Sequence, residues 1–279
     1  YRGDVLDRTL LDEVFAAHKI DGVVHFAALK AVGESVEKPL TYMHINVGGL
    51  LNLLAAMDAA DVRRIVFSSS ATVYGDTDIQ PIPEDHPRTY TSPYAFTKIA
   101  GEQILEQLPN SWAIGILRYF NPVGAHRSAI IGEDPGDIPN NLVPYIAKVA
   151  TGDLDQLAVF GDDYDTPDGT GLRDYIHVED LAEGHVLSVK SLIETGESHT
   201  VNLGTGSGSS VLDVIRAYSE ACGQDLPYVI KPRRDGDVAV LTARPEKAKE
   251  ILEFEAKRPL AEMCASSWAW VSGQRRNSK

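Results

Sequence analysis

The stretch Ile65-Val66-Phe67-Ser68-Ser69-Ser70-Ala71-Thr72-Val73-Tyr74-Gly75 decides the fold. It opens with three apolar residues, two of them β-branched, with no polar residue between them. A strand apolar on both faces is buried on both, as in a parallel sheet covered by helices. Three serines end the run. Towards the N-terminus, Val23-Val24-His25-Phe26-Ala27 reads as another such strand. Between the two, Pro39 precedes a helical pattern in which Leu40, Met43, Val47, Leu50, Leu54 and Met57 recur at helical spacing. Towards the C-terminus, a loop with Pro81, Pro83, Pro87 and Pro93 leads into a helix predicted from about Tyr94 to Leu108. Ala113 to Leu117 reads as a third strand, ending in Arg118-Tyr119-Phe120-Asn121. Strands separated by helices predict an α/β fold with a doubly wound parallel sheet.

After Pro122 the texture changes. Residues 124–140 and 161–174 are rich in Gly, Asp and Pro and read as long loops, which usually carry function. A strand at Thr200–Leu203, a helix from about Val211 to Cys222 and a short strand near Tyr228–Ile230 follow. The expected division is a sheet domain over 1–122, to which the chain returns near 175–203, and a smaller, loop-rich domain over 123–279.

Composition narrows the function. The 279 residues include 40 acidic and 26 basic side chains, a net charge of −14, which repels nucleic acid and anionic membrane. Hydrophobic residues make up 43%, enough for a core and too many for a disordered chain. No stretch reaches the roughly 18 apolar residues of a membrane span. The two cysteines, Cys222 and Cys264, lie far apart and suggest neither a disulfide framework nor a metal site, so a reducing compartment, the cytoplasm, is expected.

In an open parallel sheet, ligands bind beyond the carboxyl ends of the strands. Phe26 to Lys30, Ser68 to Gly75 and Arg118 to Pro122 lie there. Taken alone, the serines read better as a helix cap or turn. Tyr94 and Lys98 sit four apart at a helix start and share a face. A lysine ammonium beside a tyrosine favours the phenolate, which makes Tyr94 a candidate general base. Three other signals point to structure. Gly204-Thr205-Gly206-Ser207-Gly208 lacks the third glycine of a dinucleotide fingerprint and reads as a turn. The acids Asp162, Asp163, Asp165 and Asp168 miss calcium-loop spacing by one. His177-Val178-Glu179-Asp180 reads as a strand-to-helix boundary with a capping acid.

Taken together, these runs resemble the extended short-chain dehydrogenase/reductases, and among them the UDP-glucose 4-epimerases. The resemblance rests on His25 to Ser35, Ser68 to Gly75, Ser92-Pro93-Tyr94 with Lys98, Arg118 to His126, Ile138 to Leu142, Asp168 to His177, and Arg233-Arg234 with Gly236-Asp237. It covers nearly the whole chain. It implies a Rossmann-like sheet, bound NAD, and interconversion of UDP-glucose and UDP-galactose in galactose metabolism by transient oxidation at sugar C4. On that resemblance Tyr94 is the base, Lys98 tunes it, and Ser70 binds the reacting oxygen beside Ala71 and Thr72. Asp4, Val5, Phe26, Ala27, Ala28, Leu29, Lys30, Tyr119 and Phe120, with Tyr94 and Lys98, match cofactor contacts. Asn121, Asn140, Asn141, Leu142, Ala158, Val159, Phe160, Arg173, Arg234, Asp237 and Leu241 match the UDP-sugar site. The physics agrees in one respect: an acidic protein that holds a diphosphate needs fixed arginines. No metal is implied.

The sequence also departs from the family. It begins with Tyr1, and nothing in it supplies the glycine-rich turn that cradles the NAD pyrophosphate. The expectation is therefore an N-terminally truncated chain, short of its first strand–helix units. Ala71-Thr72 stand where related dehydratases carry an Asp-Glu pair. Leu241, intermediate in size, leaves N-acetylated sugars open. A non-catalytic nucleotide-sugar-binding remnant is the reading from another class. The helices at about 39–60 and 94–108 resemble the pair that forms the family's homodimer, although their apolar stripes suit the sheet equally well.

Overall fold

The computed structural model describes residues 1–134, 141–234 and 237–277. The chain opens with α1 (Arg8–Ala17), capped by Asp7, and β1 (Val23–His25). Two short helices follow, α2 (Val32–Glu37) and α3 (Pro39–Tyr42). α3 passes through a π-helical turn, Met43–Gly48, into α4 (Gly49–Ala59). Then come β2 (Arg64–Ser70), α5 (Pro93–Glu106), β3 (Ala113–Tyr119) and β4 (Asn121–Val123). The later part contains α6 (Leu142–Ala150), β5 (Leu157–Phe160), β6 (Leu172–His177), α7 (Val178–Thr195) and β7 (His199–Leu203). It ends with β8 (Gly208–Ser210), α8 (Val211–Cys222), β9 (Tyr228–Lys231), β10 (Val240–Leu241), α9 (Glu246–Leu252) and α10 (Leu260–Asn277).

The main sheet has the order β1-β2-β3-β7, all parallel. Alternation along β2 sends its side chains to two cores. Ile65 and Phe67 pack with Leu50, Leu54 and Met57 of α4 and with Ile114 and Ile116 of β3. Val66 faces the other way, towards Leu181 and Leu192 of α7, Leu203 of β7 and Leu252 of α9. A third core gathers Val143, Ile146, Val214, Tyr218 and Met263 from α6, α8 and α10.

Pro39–Ala59 is long and apolar enough, by length and composition alone, to cross a membrane, more than the sequence reading allowed. Leu50, Leu53, Leu54 and Met57 of this run lie in the core against the sheet, the behaviour of a core helix. Two smaller strand groups, β10-β6-β4 with β8 antiparallel to β6, and β5-β9, build the later region.

Two local expectations need correction. Residues 172–174, read as loop, begin β6. Asp174 disguised them: its buried carboxylate accepts from the Thr205 and Gly206 amides at 2.8 and 2.9 Å, pinning the glycine-rich turn beside the strand. At the boundary before α7 the cap is His177, not an acid. Its Nδ1 accepts from the Glu179 amide at 3.0 Å.

One glycine sets the site's geometry. A Cβ on Gly101 of α5 would lie 2.5 Å from the Phe67 ring. The missing side chain lets α5 press onto β2 one turn after Lys98.

Candidate active site

The segments that carry Ser70 and Tyr94 each begin at a capping serine. β2 ends at Ser70, which starts a 3₁₀ turn, Ala71–Tyr74. The Thr72 amide and hydroxyl donate to Ser70 Oγ at 3.2 and 3.0 Å, so this serine does act as a cap. α5 starts where the Ala95 amide donates to Ser92 Oγ, with Pro93 in the first turn. The Tyr94 amide donates to Ser35 Oγ at 3.1 Å. Ser70 stands opposite Tyr119 in the β2–β3 register, so Ser70, Tyr94 and Tyr119 meet at the carboxyl end of the sheet.

Lys98 is 6% exposed. Its Nζ donates to the Ser68 carbonyl at 2.7 Å and lies 5.2 Å from the Phe67 ring centroid and 5.8 Å from that of Tyr94. Burial lowers its pKa to about 8, against the pull of the Glu102 carboxylate. Tyr94 moves the opposite way to the expectation for a base: its pKa is raised to about 12, first by burial and then by Tyr119, while the Ser70 hydroxyl works against the rise. The reason is geometric. Lys98 donates a hydrogen bond to the Ser68 carbonyl and lies over the Tyr94 ring rather than beside its hydroxyl, so desolvation dominates. His25, at the end of β1, is lowered to about 4 by burial and by Lys98.

The residues matched to cofactor contacts fall at the same end. Phe26, immediately after β1, is 59% exposed, and its ring centroid lies 4.6 Å from that of His185. Ala27 is exposed, and Ala28 and Leu29 are half-buried. Lys30 is exposed and pairs with Glu133 at 3.0 Å. Phe120 is buried. Asp4 accepts from the Leu6 amide, and the Val5 carbonyl accepts from Asn52, which ties the chain start to α4.

Sequence reading missed Asn46. It is buried in the π-helical turn, and its Oδ1 accepts from the Leu29 amide at 2.8 Å. Its Nδ2 donates to the Leu29 carbonyl and to Thr97 Oγ1, both at 3.0 Å, and the Thr97 hydroxyl donates to the Tyr94 carbonyl at 2.7 Å. One amide thus locks the Phe26–Lys30 loop to the Tyr94 helix. A π turn often marks such a functional position, but no sequence pattern announced this one.

The residues matched to the UDP-sugar form a second group. Arg173 of β6 pairs with Asp237. The Arg234 guanidinium lies 3.8 Å from the centroid of the Phe160 ring. Ala158 and Val159 precede Phe160 on β5. Asn121 begins β4, and Asn141 immediately precedes α6, which starts at Leu142. Asn140 lies outside the described residues. Leu241 joins the two groups: it sits opposite Arg173 in the β10–β6 register and packs against the cluster of Ala71, Val73 and Phe120.

The residues present fit the nicotinamide end of a dinucleotide. The Lys98 ammonium has three donors and donates one to Ser68, and the exposed aromatic side chain of Phe26 follows the buried His25 that ends β1.

The sequence pattern of the NAD dependent epimerase/dehydratase family matches residues 1–204. The chain belongs to that family. UDP-glucose 4-epimerase of Bacillus subtilis is 54% identical over 275 residues, covering 98% of this chain and 81% of that protein. Among family members with solved structures is UDP-glucose 4-epimerase of Stenotrophomonas maltophila, with bound NAD and formylated UDP-arabinopyranose. It is 48% identical, with a TM-score of 0.97 over 99% of this chain and 83% of that one. The Bifidobacterium longum enzyme in complex with NAD+ and UDP is 52% identical, with a TM-score of 0.93 over the same shares.

Proposed function

We propose that this protein is an NAD-dependent isomerase that interconverts UDP-glucose and UDP-galactose through a transient ketone at sugar C4. The observation that carries this reading is the meeting of Ser70, Tyr94 and Lys98 at the carboxyl end of β2. The half-identical relatives named UDP-glucose 4-epimerase support it. Ala71-Thr72, which lack the acids of an elimination, count against a dehydratase.

In the proposed mechanism Ser70 orients the 4-hydroxyl and Tyr94 removes its proton as C4 is oxidised; the 4-keto sugar turns over within the pocket, so that C4 is reduced on its opposite face, and Tyr94 returns the proton to the 4-oxygen. Bound NAD supplies the hydride acceptor and donor, together with a positive charge. Tyr94 needs that charge, because burial, with Tyr119 beside it, holds its pKa near 12, where it stays a phenol at neutral pH. The free donors of Lys98 bind the nicotinamide ribose, and Phe26 to Lys30, Tyr119 and Phe120 line the cofactor. Asp4 and Val5 lie on the adenine side.

Arg173 and Arg234 hold the diphosphate, Asp237 the ribose hydroxyls, and Ala158 to Phe160 the base. Asn121, Asn141 and Leu142 complete the pocket, with Leu241 setting its width towards the sugar. On this reading residues 123–279 serve mainly the nucleotide sugar and residues 1–122 mainly the cofactor. The enzyme works as a cytoplasmic homodimer.

Tyr94→Phe tests the reading in a coupled assay of UDP-galactose conversion. The expected loss is at least roughly 100-fold in kcat, with UDP binding retained. Activity within about threefold of the parent rules out Tyr94 as the base.

A further inference from the structure

We propose that Glu102 is a positioning residue for this reaction: through Ser69 it fixes the strand end that presents Ser70 to Tyr94 and the Ser68 carbonyl to Lys98. The proposal rests on the reading of Tyr94 as base and Lys98 as its partner.

Tyr94, Lys98 and Glu102 follow one another at four-residue intervals on α5 and so share one face. Glu102 is completely buried, at 0% exposure. Its Oε1 accepts from the Ser69 hydroxyl and from Arg118 Nε at 2.9 Å. Its Oε2 accepts from Arg118 Nη2 at 2.6 Å and Arg88 Nη1 at 3.0 Å. Arg118 in turn donates to the Tyr74 hydroxyl at 3.1 Å and the Glu84 carbonyl at 2.8 Å. A buried carboxylate needs a charged partner. One guanidinium would neutralise this one, yet it binds two and also takes the hydroxyl of the middle serine.

Successive strand side chains point to opposite faces, so Ser69 turns away from Ser68 and Ser70. The two flanking residues carry the site's contacts. The Ser68 carbonyl receives Lys98 at 2.7 Å, and the Ser70 hydroxyl faces Tyr94. Pinning Ser69 from the opposite face restrains both adjoining peptide units at the point where β2 ends.

The carboxylate also acts by charge. It opposes the loss of the Lys98 proton caused by burial. The other titratable groups around Lys98 are Tyr94 of its own helix, His25 of β1, and Tyr119 and His185, which both meet the Ser68 side chain. Arg88 and Arg118 reach Lys98 through Glu102.

Two variants separate the link from the charge. Ser69→Ala removes the link and leaves the Glu102–Arg118–Arg88 group whole. Glu102→Gln keeps an acceptor for Ser69 and removes the charge. UDP-galactose conversion is followed from about pH 6 to about pH 10, with the parent and Tyr94→Phe in parallel. Ser69→Ala is expected to lower kcat about tenfold with KM within about twofold. Glu102→Gln is expected to lower kcat and to move the alkaline limb, set by Lys98, to lower pH. A merely structural role reduces the amount of active enzyme and leaves that limb in place. Parental kcat in Ser69→Ala, or an unmoved limb in folded Glu102→Gln, overturns the proposal. If Glu102→Gln does not fold, Ser69→Ala decides alone. An inactive parent or an active Tyr94→Phe instead fails the underlying reading.

Discussion

Lys98 holds an ammonium in a place that resists it. Its pKa falls from 10.5 to about 8 because burial disfavours the charge. The sign follows. A basic group with a depressed folded-state value contributes its full stability above pH 10.5, and that stability is lost as pH falls through about 8. At neutral pH the folded chain therefore carries a penalty of roughly 3 kcal/mol for this one proton. Lys98→Met, close in volume and uncharged, is expected to raise the urea midpoint of the ligand-free protein at pH 7 by about 1–3 kcal/mol in stability and to abolish turnover. A lowered midpoint would show that Lys98 supports the fold instead.

Legibility at this scale was uneven. The Tyr94–Lys98 spacing and the serine run could be read because they lie within one element each. Asn46 and Glu102 could not, because their partners, Leu29 and Thr97 for one and Ser69, Arg88 and Arg118 for the other, come from elements brought together only by folding. Tyr164 was missed as well. Its hydroxyl is buried without a hydrogen-bond partner among the described residues, and Arg233 lies 4.1 Å over its ring.

At the scale of elements, the parallel strands and α8 were readable. β2 is apolar on both faces, and Ser210 with Asp213 forms a capping box in front of an amphipathic run. β6 was not, since a buried aspartate mimics loop composition. The face of α4 was ambiguous because its residues are apolar nearly all round. Leu50, Leu54 and Met57 turn to the sheet, while Leu40 of α3 is 82% exposed and Leu51 of α4 is 50% exposed. An outward apolar surface on a helix that already covers a core suits a partner helix. Sedimentation at micromolar concentration is expected to give a dimer, and Leu51→Glu is expected to weaken it. A monomer throughout that range would contradict the assembly.

The molecule as a whole carries a net charge of −14, and its proposed substrate carries two phosphates. On the proposed reading Arg173 and Arg234, on the later strands and loops, meet the phosphate charge, while Tyr94 and Lys98 lie buried at the end of the main sheet. The central claim is that the sugar is oxidised and reduced at C4 without leaving the site. UDP-galactose carrying deuterium at C4 tests it directly, with the product read by mass spectrometry and NMR. The account predicts UDP-glucose that keeps its deuterium at C4, because the same hydrogen is taken and returned. Exchange of that deuterium for solvent hydrogen would contradict it and would point to simple deprotonation at carbon.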